Sequence, residues 1–101
     1  MGFDVLLFDN RNRLILIHEI DENLHKDIFA PYKLWASYLF LRKLSDYYCT
    51  NEEFSGKAMD GLKNDLINYK PLMDVKYQTT LQLLLDAISD NNVRKIRING
   101  D

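Results

Sequence analysis

Residues 31–48 read PYKLWASYLFLRKLSDYY, and how this stretch is read decides what the rest of the chain has to do. At 3.6 residues per turn, Leu34, Tyr38 and Leu41 fall on one side, Trp35 and Leu39 on a second, and Phe40, Leu44 and Tyr47 on a third. Pro31 suits a first helical position, where its missing N–H is no loss and its fixed φ already fits. The pattern predicts one central helix of about 27 Å at 1.5 Å per residue. Being apolar on nearly every side, such a helix has to be covered on nearly every side.

On the N-terminal side, FDVLLF (3–8) and RLILIH (13–18) are short runs of branched and aromatic residues separated by Asp9, Asn10, Arg11 and Asn12. Asp and Asn bond their own turns and tolerate left-handed backbone, so these runs predict a β-hairpin. Leu14 and Leu16 alternate with Ile15 and Ile17, so both faces of the second strand call for at least partial cover. Asp21 is placed to cap a short helix that carries Leu24, Ile28 and Phe29, with Glu22 favouring its first turn. Pro31 then disfavours helical backbone at Ala30 and separates this helix from the central one.

On the C-terminal side, Thr50, Asn51, Glu52 and Glu53 match a capping box and predict a new helix starting there. Ala58, Leu62, Leu66 and Tyr69 form its apolar stripe, and Pro71 ends it. Gly56 and Gly61 each cost about 1 kcal/mol relative to Ala in a helix, so either marks a bend or a close crossing. Asp74 is a cap for a further helix, in which Tyr77, Leu81, Leu84, Leu85 and Ile88 make the cleanest amphipathic pattern of the chain. Ser89, Asp90, Asn91 and Asn92 stop it. Finally VRKIRI (93–98) puts Ile96 and Ile98 on one face and Lys95 and Arg97 on the other, as edge strands do. The expected architecture is α+β: one domain over residues 1–101, with a small three-stranded sheet (hairpin plus C-terminal strand) covered by three to four helices.

Composition narrows the function classes. With 101 residues, 47% of them apolar, there is material for one core. A formal charge of −2 gives no general affinity for nucleic acid or an anionic membrane. Cys49 is the lone cysteine, which leaves no internal disulfide or cysteine metal cluster and fits a reducing compartment. The start, MGFDVLLFDNR, lacks the basic and apolar regions of a secretory signal, and the apolar run 34–41 is far short of a bilayer span. The expected location is cytoplasmic, with no membrane partner.

Chemistry-bearing motifs are sparse. His18 and Glu19 open HEIDENLH, which lacks a second His four residues after the first, so a zinc site would have to combine His18 and His25 with Asp21 or Glu22. His25 with Asp27 could move protons but has no nucleophile to serve. Asp9 to Asn12 begins like a calcium loop but has no Gly at the sixth position and Ile20 at the twelfth. The expectation is a non-enzyme with no metal and no cofactor.

Two surface clusters remain. Asp46, Tyr47, Tyr48, Glu52, Glu53 and Asp60 mix carboxylates with aromatic anchors where the central helix hands over to the next, and form the candidate partner-binding surface. Arg94, Lys95 and Arg97 are the one compact basic group and the alternative, nucleic-acid-binding, set. A homodimeric adaptor is the other alternative, because the central helix is more apolar than one small domain covers.

A mildly acidic, Tyr-containing domain of this size, rich in Asn, Ile, Lys and Asp and without catalytic motifs, resembles the immunity proteins of bacterial polymorphic toxins. The CdiI-type proteins of contact-dependent growth inhibition are the nearest group. The resemblance is one of type, with no shared motif, and no residue role carries over from it. It implies a function in which the chain binds a cognate toxin domain, often a basic nuclease, and blocks its active site or substrate groove.

Overall fold

A computed structural model describes residues 3–30, 35–45 and 51–100. The first hairpin forms as the sequence predicts, with β1 at Phe3–Phe8 and β2 at Leu14–Ile20. Asp9 organises its turn. The carboxylate accepts the backbone N–H groups of Arg11 and Arg13, both at 2.9 Å, and Arg13 Nε at 3.0 Å, while Asn12 takes a left-handed φ of 62°. These bonds, the Arg13 N–H foremost, hold the Asp9 carboxyl below its ordinary range against the opposing effect of desolvation. The calcium-like start of this loop is thus used up in making the turn.

Helix α1 (Glu22–Ile28) begins where Asp21 Oδ1 accepts the Leu24 N–H at 2.8 Å, and it buries Leu24 and Ile28. Helix α2 (Gly56–Tyr69) buries Met59, Leu62, Leu66 and Tyr69, and a 3₁₀ turn containing Pro71, Lys70–Leu72, ends it. Helix α3 (Val75–Ile88) buries Leu81, Leu84, Leu85 and Ile88.

Three expectations are overturned. The first is the continuous helix over 31–48. Residues 31–34 and 46–48 lie outside the described residues, and between them the chain makes two separate 3₁₀ turns, Trp35–Ser37 and Leu41–Leu44. The cause is tertiary. A continuous α-helix needs the N–H groups of Phe40 and Leu41 for carbonyls four residues back. Asp65 on α2 takes both on one carboxylate oxygen, at 2.8 and 3.1 Å.

The second is the capping box. Thr50 lies outside the described residues, and Asn51–Ser55 is a strand, β3, with only Phe54 fully buried. α2 starts later, at Gly56, whose φ of +55° makes the corner between strand and helix.

The third concerns the sheet, which has four strands and not three. The last, β4 (Lys95–Asn99), is not at an edge: the order is β2-β1-β4-β3, all antiparallel. Leu7 and Phe54 both stand level with Ile96, and Val5 stands level with Ile98, so β4 is flanked on both sides. Its outward charges solvate a central strand.

One core joins Phe3, Val5, Leu7, Phe54, Ile96 and Ile98 from one face of the sheet to the buried residues of the three helices and to Leu41 and Leu44. The structure is therefore a two-layer α+β fold, with its described helices against one face.

Gly61 has a specific reason. A Cβ there would stand 2.7 Å from Cδ2 and Cζ of the Phe40 ring, so the glycine lets the 3₁₀ segment lie against α2. Gly61→Ala gains about 1 kcal/mol of helix propensity but overpacks the site by roughly 1–3 kcal/mol. Chemical denaturation is expected to show a net loss in the parent and a gain in the Phe40→Ala background. Equal effects in the two backgrounds would show that the ring is not the obstacle.

Candidate functional site

The alternation of burial along the strands settles which residues share a surface. The face away from the helices carries Asp4, Leu6 and Phe8 on β1, and Leu14, Ile17 and Glu19 on β2. Lys95, Arg97 and Asn99 continue it on β4, and Asn51, Glu53 and Ser55 on β3. Ile17, Leu6, Arg97 and Glu53 lie in one row across the sheet, and Leu14, Phe8, Lys95 and Ser55 in the next. Leu6, Phe8, Leu14 and Ile17 make its β1–β2 side apolar, charged and neutral polar side chains make up the rest, and among the described residues no helix covers it.

Of the six-residue acidic and tyrosine set, the three described members do not share one face. Asp46, Tyr47 and Tyr48 lie outside the described residues. Glu52 and Glu53 are neighbours on a strand and so face opposite ways: Glu52 is half-buried on the helix side, level with Ile98, and Glu53 is exposed on the bare face. Asp60 is exposed on α2, in the helix layer. A helix beginning at Thr50 would have gathered these acids. The strand separates them.

The basic group divides as well. Lys95 and Arg97 share the bare face, and both have partners. Lys95 Nζ is 3.7 Å from Glu53 Oε1 and 4.7 Å from the centre of the Phe8 ring, and it donates to Asn12 Oδ1. Arg97 Nε and Nη2 each lie 3.3 Å from Asn51 Oδ1. Arg94 belongs elsewhere, in a shallow polar cleft of about 420 Å³ at the turn end of the sheet, together with Asp9, Asn10, Arg13 and Asn92.

His25 is built into the core. His25 is 6% exposed, between the rings of Phe3 and Phe29 at 4.8 and 4.6 Å. Its Nε2 lies 2.8 Å from the Leu44 carbonyl, which only accepts, so Nε2 carries the proton. Asp27 Oδ2 accepts the Asp74 N–H at 3.2 Å. His18 is half-buried on β2, on the helix side. Among the described residues no three His, Cys, Asp or Glu side chains gather where they could hold a metal.

What the sequence reading missed is the exposure of β2. Leu14, Ile15, Leu16 and Ile17 are 50%, 47%, 49% and 54% exposed, although their pattern called for cover on both faces. Four adjacent aliphatics with no charge between Arg13 and His18 were the available signal.

No protein-family model, curated protein or solved structure matches this chain. No helix among the described residues is long and apolar enough to cross a membrane.

Proposed function

We propose that this chain acts by binding another protein through the bare face of its sheet, and that the partner is a toxin domain which it neutralises. The observation that supports this is the face itself, where Leu6, Phe8, Leu14 and Ile17 adjoin Glu53, Lys95 and Arg97. An apolar patch adjoining charged groups is a common make-up of a protein interface. The partner class follows from the resemblance to immunity proteins, whose mode of action asks only that the inhibitor occlude an active site or substrate groove. Charge on the face is mixed, with Asp4, Glu19 and Glu53 against Lys95 and Arg97, so it fits a partner of alternating charge better than a uniformly basic one. Nucleic acid fits less well, because the two cations are already partnered and stand among carboxylates.

The test pairs this chain with any toxin domain that a gene beside its own encodes. Co-expression is expected to restore growth. By calorimetry, Arg97→Glu is expected to weaken binding about 30-fold, as loss of a 2 kcal/mol anchor would. Asp60→Lys, in the helix layer, leaves affinity within about 2-fold, as surface changes outside an interface do. The opposite pattern would place the interface on the helices. Recovery of nucleic acid that salt releases would move the function to Arg94, Lys95 and Arg97.

A further inference from the structure

We infer that the outer edge of β2, which no described strand covers, pairs with the β2 edge of a second copy of this chain, antiparallel about a two-fold axis at Leu16, to form a continuous eight-stranded sheet. This goes beyond the proposed partner-binding role and uses the rim of the sheet, which meets the bare face at Leu14 and Ile17. The sheet's two edges are unequal. β3 ends it with Asn51, Glu52 and Glu53, and carboxylates on an edge discourage pairing. β2 ends it with four exposed aliphatics and no charge between Arg13 and His18. A strand that leaves its outer N–H and C=O groups unpaired beside apolar side chains is a template for another strand.

Charge along this edge selects the occupant. Exposed Arg11 and Arg13 stand at the N-terminal end of β2, and exposed Glu19 and Asp21 at the C-terminal end. Antiparallel self-pairing sets the basic end of each copy beside the acidic end of the other, whereas parallel pairing would oppose like charges. With the axis at Leu16, Leu16 meets Leu16 of the other copy, Ile15 meets Ile17, and Arg13 comes level with Glu19. Moving the axis one residue either way still sets basic residues beside acidic ones, but places Ile15 against Glu19 or Arg13 against Ile17, so the axis at Leu16 is the one that keeps the aliphatics together. The slip in register beside β1 makes Ile15 an extra residue and turns Arg13 toward its Asp9 partner, so the attraction between the ends acts across the rim and not as a fixed ion pair. Because the same edge serves both copies, the contact is isologous and closes at two.

The test is sedimentation equilibrium of the full chain and of two variants at Leu16, an exposed position whose side chain lies off the bare face. The parent is expected to sediment at near twice the 11.9 kDa of one chain. Leu16→Lys and Leu16→Glu each bring like charges together at the axis and are expected to raise the dimer dissociation constant at least about 10-fold, with unchanged circular dichroism. An equimolar mixture of the two variants is expected to recover the dimer, which variants that merely misfold would not. A parent that stays monomeric at every concentration, or a dimer indifferent to Leu16→Lys, would overturn the inference. Neither result bears on growth rescue, so failure here and failure of the partner-binding role can be told apart.

Discussion

Tyr69→Ala is expected to remove about 3–5 kcal/mol of stability, the usual cost of deleting a buried aromatic side chain. Tyr69 is fully buried in the last turn of α2. Its hydroxyl donates to the Ile28 carbonyl at the end of α1, and its ring meets Tyr38 edge-on, with centroids 5.2 Å apart at 85°. One side chain therefore joins α2, α1 and the segment between the two 3₁₀ turns. Tyr69→Phe keeps the ring and loses the donor, at about 1–3 kcal/mol for a buried acceptor deprived of its partner. Set against a total of roughly 5–15 kcal/mol for a small domain, the alanine variant would be marginal at 37 °C. Each lost kcal/mol lowers the melting temperature by about 4–8 °C at this size. Thermal unfolding followed by circular dichroism measures both variants, with Leu83→Ala, at a 58% exposed position, as a control expected to change little. If Tyr69→Phe melted with the parent, the hydroxyl would not be the tie described.

The same residue shows what could be read from the sequence. Tyr69 belongs to a stripe with Ala58, Leu62 and Leu66, and that stripe, like the one through Leu81, Leu84, Leu85 and Ile88, has a single apolar face, so local spacing alone specifies helix and buried side. The Asp21 cap and the Asp9 turn were equally legible, because each is a bond between near neighbours. Residues 31–48 offered no preferred face, and an apolar pattern all round says only that the segment is enclosed. What breaks the helix is Asp65, more than twenty positions further along, taking the N–H groups of Phe40 and Leu41. Long-range competition for backbone donors leaves no trace in local periodicity. Glu52 and Glu53 part for a similar reason: they are good helix formers with a capping signal before them, and the demand of β4 for a neighbour overrides that preference. The exposed run from Leu14 to Ile17 was visible as an apolar run, but its lack of cover depends on which strands take the other places in the sheet.

Phe54→Ala is expected to cost about 3–5 kcal/mol, the second large effect, and it tests β3 directly. Phe54 is 2% exposed, stands level with Ile96 on β4, and faces the core. Its neighbours Glu53 and Ser55 are exposed on the other face of the sheet. A strand makes the sensitivity alternate: Glu53→Ala loses only a half-exposed 3.7 Å ion pair with Lys95, a loss of about 0–1 kcal/mol. In a helix running from Thr50, a residue at the first turn would be partly solvated and alanine would be a favoured replacement there. Urea unfolding of Phe54→Ala, Glu53→Ala and Ser55→Ala therefore separates the two backbones by sign as well as size. The strand predicts one large loss flanked by two small changes, with the slope against denaturant unaltered, since the folded state keeps its extent. Three small effects would mean that β3 does not hold its place beside β4. Glu53 would then no longer be fixed on the bare face, and the row it forms with Arg97, Leu6 and Ile17 would lose its outer member.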